Sequence, residues 1–104
     1  MVNKHRGEVA AVLDGKQWTL CLTLGALAEL ESAFEVEDLT ALTERFGSGK
    51  LNATDMLRII GAGLRGGGHP VSNQEVMEMQ AEGGATGYVN IVSELLAVTF
   101  GSSD

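Results

Sequence analysis

Asp14-Gly15 is the pair that most restricts how this chain can fold. A two-residue type I′ hairpin loop needs positive φ at both central positions, and Asp-Gly meets that need at low cost. Val9 to Leu22 therefore reads as a β-hairpin, and the loop length fixes its register. Leu13 pairs with Lys16, Ala11 with Trp18 and Val9 with Leu20. One face then carries Val9, Ala11, Leu13, Trp18, Leu20 and Leu22, and this is the core face. Glu8, Ala10, Val12, Gln17, Thr19 and Cys21 take the other. An isolated hairpin is marginal in water, so this one must lie on helices or join a larger sheet.

The helices it needs follow at once. From Thr23 to Phe34, a turn of 100° per residue gathers Leu24, Ala26, Leu27, Leu30, Ala33 and Phe34 into one apolar stripe. Thr23 is placed to cap this helix, with Leu22 and Leu27 as a hydrophobic staple. The helix is expected to be the element on which the rest packs, with Trp18 docked near Leu27 and Leu30. A second helix runs from about Asp38 to Phe46, with Leu39, Leu42 and Phe46 inward and Gly47 placed for a left-handed cap. A third spans Ala53 to Leu64, with Asn52 and Asp55 as a capping box and Leu51 and Met56 as a staple. Its inward residues are expected to be Met56, Leu57, Ile60 and Leu64, with Gly63 admitting a close neighbour. Gly66-Gly67-Gly68-His69-Pro70 breaks it and reads as a mobile connector that binds nothing. Ser72 and Glu75 form another capping box, opening a fourth helix with Val71 and Val76 as its staple; Gly83-Gly84 ends it. The last helix, Gly87 to Phe100, carries Tyr88, Ile91, Val92, Leu95 and Thr99 on one side. The resulting fold class is α+β: an N-terminal β-hairpin packed on four to five short helices, in one domain spanning 1–104.

Charge narrows the possible partners. Fourteen acidic and seven basic residues leave a net charge of −7, and the basic ones are scattered. Nucleic-acid binding needs a clustered basic face, so DNA and RNA are not expected partners. No run approaches the ~18 apolar residues of a membrane span. The N-terminus lacks the apolar segment of a signal peptide, and Cys21 stands alone, so a cytoplasmic protein is expected.

The candidate chemical groups have simpler explanations. Glu29 and Glu31 point about 160° apart on their helix, so with Glu35, Glu37 and Asp38 they form a solvated face rather than a catalytic pair. Gly63 to His69 resembles a phosphate loop but follows a helix, where the dipole end is negative, and lacks the Lys-Ser/Thr pair. His5 and His69 have no partners at metal-ligand spacing. Cys21 has no nearby histidine in sequence and reads as a half-buried thiol. No catalytic residue, cofactor or metal is expected.

Several stretches together resemble one family: His5-Arg6-Gly7-Glu8-Val9, the hairpin through Asp14-Gly15, Leu22 to Glu31, and Gly61-Ala62-Gly63-Leu64-Arg65 followed by Ser72 to Val76. The family is that of the gene-transfer-agent tail assembly chaperones of alphaproteobacteria, related to those of long-tailed phages. The resemblance implies a non-enzymatic protein that binds the tape-measure protein, helps tail-tube subunits polymerise around it and is absent from the finished particle. Some members are labelled tail-tube proteins. A chain that is helical after its hairpin suits a chaperone better than a β-rich tube subunit. The alternative reading is a structural tail component retained in the particle.

The expected partner surface lies on the last helix. Val89, Leu96 and Phe100 extend its apolar arc to about 200°, wider than one-sided packing requires, with Met77 as an adaptable neighbour. A tape-measure helix or another copy of the chain would fit there.

Overall fold

The structure, a computed structural model, describes residues 3–47 and 52–101. A short 3₁₀ turn at Lys4–Arg6 leads into β1 (Glu8–Leu13) and β2 (Lys16–Cys21). Five helices follow among the described residues: α1 (Leu24–Phe34), α2 (Leu39–Gly47), α3 (Ala53–Gly66), α4 (Asn73–Met77) and α5 (Gly84–Phe100). The α+β arrangement of a hairpin on a helical layer is the one expected.

The strands pair antiparallel with Leu13 opposite Lys16, Ala11 opposite Trp18 and Val9 opposite Leu20. Asp14 and Gly15 both adopt positive φ, 56° and 72°. Val9, Ala11, Leu13, Leu20 and Leu22 are buried, whereas Trp18 is only half-buried.

The helix that organises the fold is α3 rather than α1. It packs against β2, α1, α4 and α5, and Ile59, Ile60, Ala62 and Leu64 are all within 2% of complete burial. Gly63 makes this possible: a Cβ there would stand 2.8 Å from a Leu95 methyl and 3.2 Å from one of Leu20. In α1, Thr23 accepts the Ala26 N–H as expected, and Ala26, Leu30 and Phe34 reach the core. Leu24 does not. It is the first residue of the helix and is 81% exposed. Trp18 is packed against the core, and its specific contacts are made with His69, Leu13 and Lys16. Its ring edge packs on His69 with centroids 4.9 Å apart, its indole N–H donates to the Leu13 carbonyl at 3.1 Å, and Lys16 Nζ lies 4.5 Å over its face.

Both expected capping boxes form, Asn52 with Asp55 and Ser72 with Glu75. Leu51 of the expected staple lies outside the described residues. The fourth helix, however, ends at Met77 rather than at Gly83. The residues freed from it lie along the outer edge of β1. Ala81 bridges Leu13, Asp14 N–H donates to the Gln80 carbonyl at 2.9 Å, and Gln80 N–H donates to Asp14 Oδ1 at 2.9 Å. Backbone groups on a strand edge need partners, and this demand outweighs one further helical turn. α5 begins at Gly84, three residues early, with Gly87 so close to Glu82 that a Cβ would stand 2.1 Å from its carbonyl oxygen.

The glycine run after α3 is no loose connector. Gly67 N–H donates to the Gly63 carbonyl and His69 N–H to that of Leu64, both at 2.9 Å, so the chain is held as it leaves the helix. Gly66 and Gly67 face the outward-pointing carbonyls of Cys21 and Thr19, and a Cβ at either would come within 2.0 Å of an oxygen. Thr19 N–H donates to His69 Nε2 at 3.4 Å. The outer edge of β2 is thereby covered.

Candidate interaction surface

Several charged side chains serve the fold. Glu29 pairs with Arg65, whose guanidinium also donates to the Val71 carbonyl and ties α3 to the start of α4. Asp38 Oδ1 accepts the Ala41 N–H at 2.9 Å and caps α2. Glu35 ends α1 in the left-handed conformation. Asp55 is buried (4% exposed), accepts the Asn52 N–H and lies 3.7 Å from Arg45. Arg58 donates to the Ala33 carbonyl and stacks on Phe34. His69 is spent on Thr19 and Trp18. Among the described residues, no three His, Cys, Asp or Glu side chains gather as a metal site would require.

Cys21 Sγ lies 3.6 Å from the Arg6 carbonyl. Partial burial pushes its thiol pKa up, nearby Glu8 adds to the rise, and Arg6 opposes it in part. A nucleophilic cysteine needs the reverse, a stabilised thiolate.

One concavity is lined mainly by apolar side chains. A groove of about 320 Å³ opens between α3, α4 and the first turns of α5. α3 supplies Met56, Leu57 and Ile60; α4 supplies Val76 and Met77; Met79 and Tyr88 close the far side. The Tyr88 hydroxyl donates to the Met79 carbonyl at 2.6 Å and so pins the wall that follows α4. The short α4 matters here, because it turns the chain early enough for Met79 to fold inward (9% exposed) while Met77 stays 60% exposed at the mouth.

The four candidate partner residues do not converge on one patch. Met77 lines the groove, and Val89 (47% exposed) directly follows Tyr88 on α5. Leu96 and Phe100 lie about 10 and 16 Å beyond Val89 along that helix; both are half-buried and packed against the core. The sequence does not mark Met56, Met79 and Tyr88 as one surface. Helical periodicity points Met56 and Tyr88 inward, and Met79 falls in what reads as a continuous helix.

The sequence profile of the family described as "Phage tail tube protein, GTA-gp10" matches residues 6–102, nearly the whole chain. No curated protein and no solved structure matches it. Among the described residues, no helix is long and apolar enough to cross a membrane.

Proposed function

Since the chain belongs to this family of phage and gene-transfer-agent tail tube proteins, we propose that it is a non-enzymatic structural subunit of a phage-type tail. In this reading it contacts tail-tube subunits and stays in the finished particle. The family match over residues 6–102 carries the proposal. Glu29, Asp38, Asp55 and Glu75 support it, being used as caps and ion pairs within the fold. Mass spectrometry of purified particles tests it. A retained subunit is found in fixed ratio to the other tail proteins; absence from intact particles refutes the proposal.

The tail assembly chaperone reading has one observation in its favour. The sheet contains two strands, β1 and β2, among the described residues, which is little material for a sheet-built ring. A chaperone would co-purify with the tape-measure protein during assembly and be missing from the particle, so the same measurement separates the two.

A further inference from the structure

We propose that His69 is a proton-sensitive latch: its neutral ring closes the outer edge of β2 at Thr19, and its protonation opens that edge. The latch is a conformational device of the fold and does not depend on the role in the tail.

Three observations carry it. The first is the acceptor. Thr19 N–H points out of the hairpin and donates to His69 Nε2 at 3.4 Å. An imidazole nitrogen accepts only while it carries no proton, so the neutral ring here holds its single proton on Nδ1. Protonation places a second one on Nε2. The acceptor is then gone, and two donors face each other. The bond is longer than the usual ~2.9–3.0 Å, a weak tie that a charge on the acceptor readily reverses.

The second is how little else ties this seam. Among the described residues, the Thr19–His69 bond is the only hydrogen bond between residues 66–70 and β2. Gly66 and Gly67 lie against the Cys21 and Thr19 carbonyls, close enough that a Cβ would stand 2.0 Å from either oxygen. They bring the segment near the strand but leave its amide to His69.

The third is charge. The His69 ring meets Trp18 at 4.9 Å between centroids, and Lys16 Nζ already lies 4.5 Å from the same indole. An imidazolium would thus be a second cation on one ring. Among the described residues, no carboxylate pairs with His69 to offset it. Arg65, at the end of α3, is engaged with Glu29 and the Val71 carbonyl. Cys21, two residues along β2, has its thiol pKa raised by burial, so it stays protonated while a histidine titrates. The closed edge therefore belongs to the neutral ring and is lost as pH falls through the histidine range. Opened, Thr19 N–H becomes an unpaired edge donor that another extended strand can take.

Amide hydrogen exchange by NMR, corrected for the intrinsic effect of pH, tests the proposal at about pH 7.5 and 5.5, where ordinary carboxylates stay ionised. Thr19 protection is expected to fall about five- to tenfold at the lower pH, the worth of about one net hydrogen bond. Trp18 and Leu20, which pair with Ala11 and Val9, should keep theirs. His69→Gln offers an amide oxygen that does not titrate and should remove the pH response. His69→Ala should leave Thr19 unprotected at both pH values. Circular dichroism confirms that each variant is folded, and the other histidine, His5, is unchanged in both. Equal Thr19 protection at the two pH values overturns the proposal, as does a response that survives in His69→Gln. Thr19 protected in His69→Ala as in the parent at pH 7.5 overturns it too. So does protection lost together at Thr19, Trp18 and Leu20, since acid then loosens the whole hairpin.

Discussion

Adding one methyl group to Gly66 or Gly67 tests how α3 meets the hairpin. Gly66 lies in the last helical turn, where Gly→Ala alone would stabilise by about 1 kcal/mol. The new Cβ, however, would lie 2.0 Å from the Cys21 carbonyl oxygen, whereas a comfortable carbon–oxygen contact is about 3.3 Å or more. The obstacle is backbone, so relief requires moving β2 or the end of α3 by more than an ångström. Overpacking of this kind costs about 1–3 kcal/mol, occasionally more. Taking the upper part of that range, Gly66→Ala should destabilise by about 1–2 kcal/mol net. Gly67, past the helix end, lacks the full propensity gain and meets the Thr19 carbonyl oxygen at the same 2.0 Å; its alanine variant should cost about 2–3 kcal/mol. The double variant should lose about 3–5 kcal/mol, a large share of the roughly 5–15 kcal/mol available to a domain of this size. Chemical denaturation measures these changes, and Gly25→Ala supplies the contrast. Gly25 is helical, and its Cβ would meet nothing closer than the Thr23 hydroxyl at 3.9 Å, so alanine there should stabilise by up to about 1 kcal/mol. If Gly66→Ala matched Gly25→Ala in sign, the close seating of α3 on β2 would be refuted.

Further expectations concern other parts of the fold. Trp18→Ala should cost about 2–3 kcal/mol, below the usual ~3–5 for a fully buried aromatic because the ring is half-exposed. A double-mutant cycle with His69→Ala should show coupling of about 0.5–1.5 kcal/mol, and zero coupling would mean that the rings do not meet. Asp55→Ala removes a capping-box partner and should lower stability by about 1–2 kcal/mol in urea titrations. The raised thiol pKa leaves Cys21 mostly protonated near neutral pH, so a disulfide reagent should react slowly there and faster as pH rises past the ordinary thiol value. Rapid modification at pH 7 would contradict this.

Local chemistry made much of the fold legible in the sequence. Asp14-Gly15 set the register, and the Asn52 and Ser72 boxes marked two helix starts, because each device acts over a few residues. What was hidden depended on distant partners. Ile59 falls outside the narrow stripe expected for α3, yet it is buried because α3 is covered on several sides. Residues 79–82 carry no strand signal of their own; they straighten because the edge of β1 needs hydrogen bonds. The triple glycine read as looseness, since nothing local reveals that Thr19 and Cys21 stand opposite it. The groove was visible only at Met77, as its wall depends on the early end of α4.

The covered hairpin edges have a consequence for the order of folding. β1 and β2 leave the ribosome before the five helices, but what closes them is made much later. His69 lies 50 positions beyond Thr19, and Gln80 lies 66 beyond Asp14. Until Glu82 has emerged, the outer edge of β1 stays bare, a state prone to mispairing with neighbouring chains. Completing the strands therefore depends on contacts far apart in sequence, which slow folding relative to a purely local bundle and make it cooperative. A chain interrupted between Gly66 and Glu82 would hold every residue of both strands, yet lack the backbone segment that closes the free side of β1.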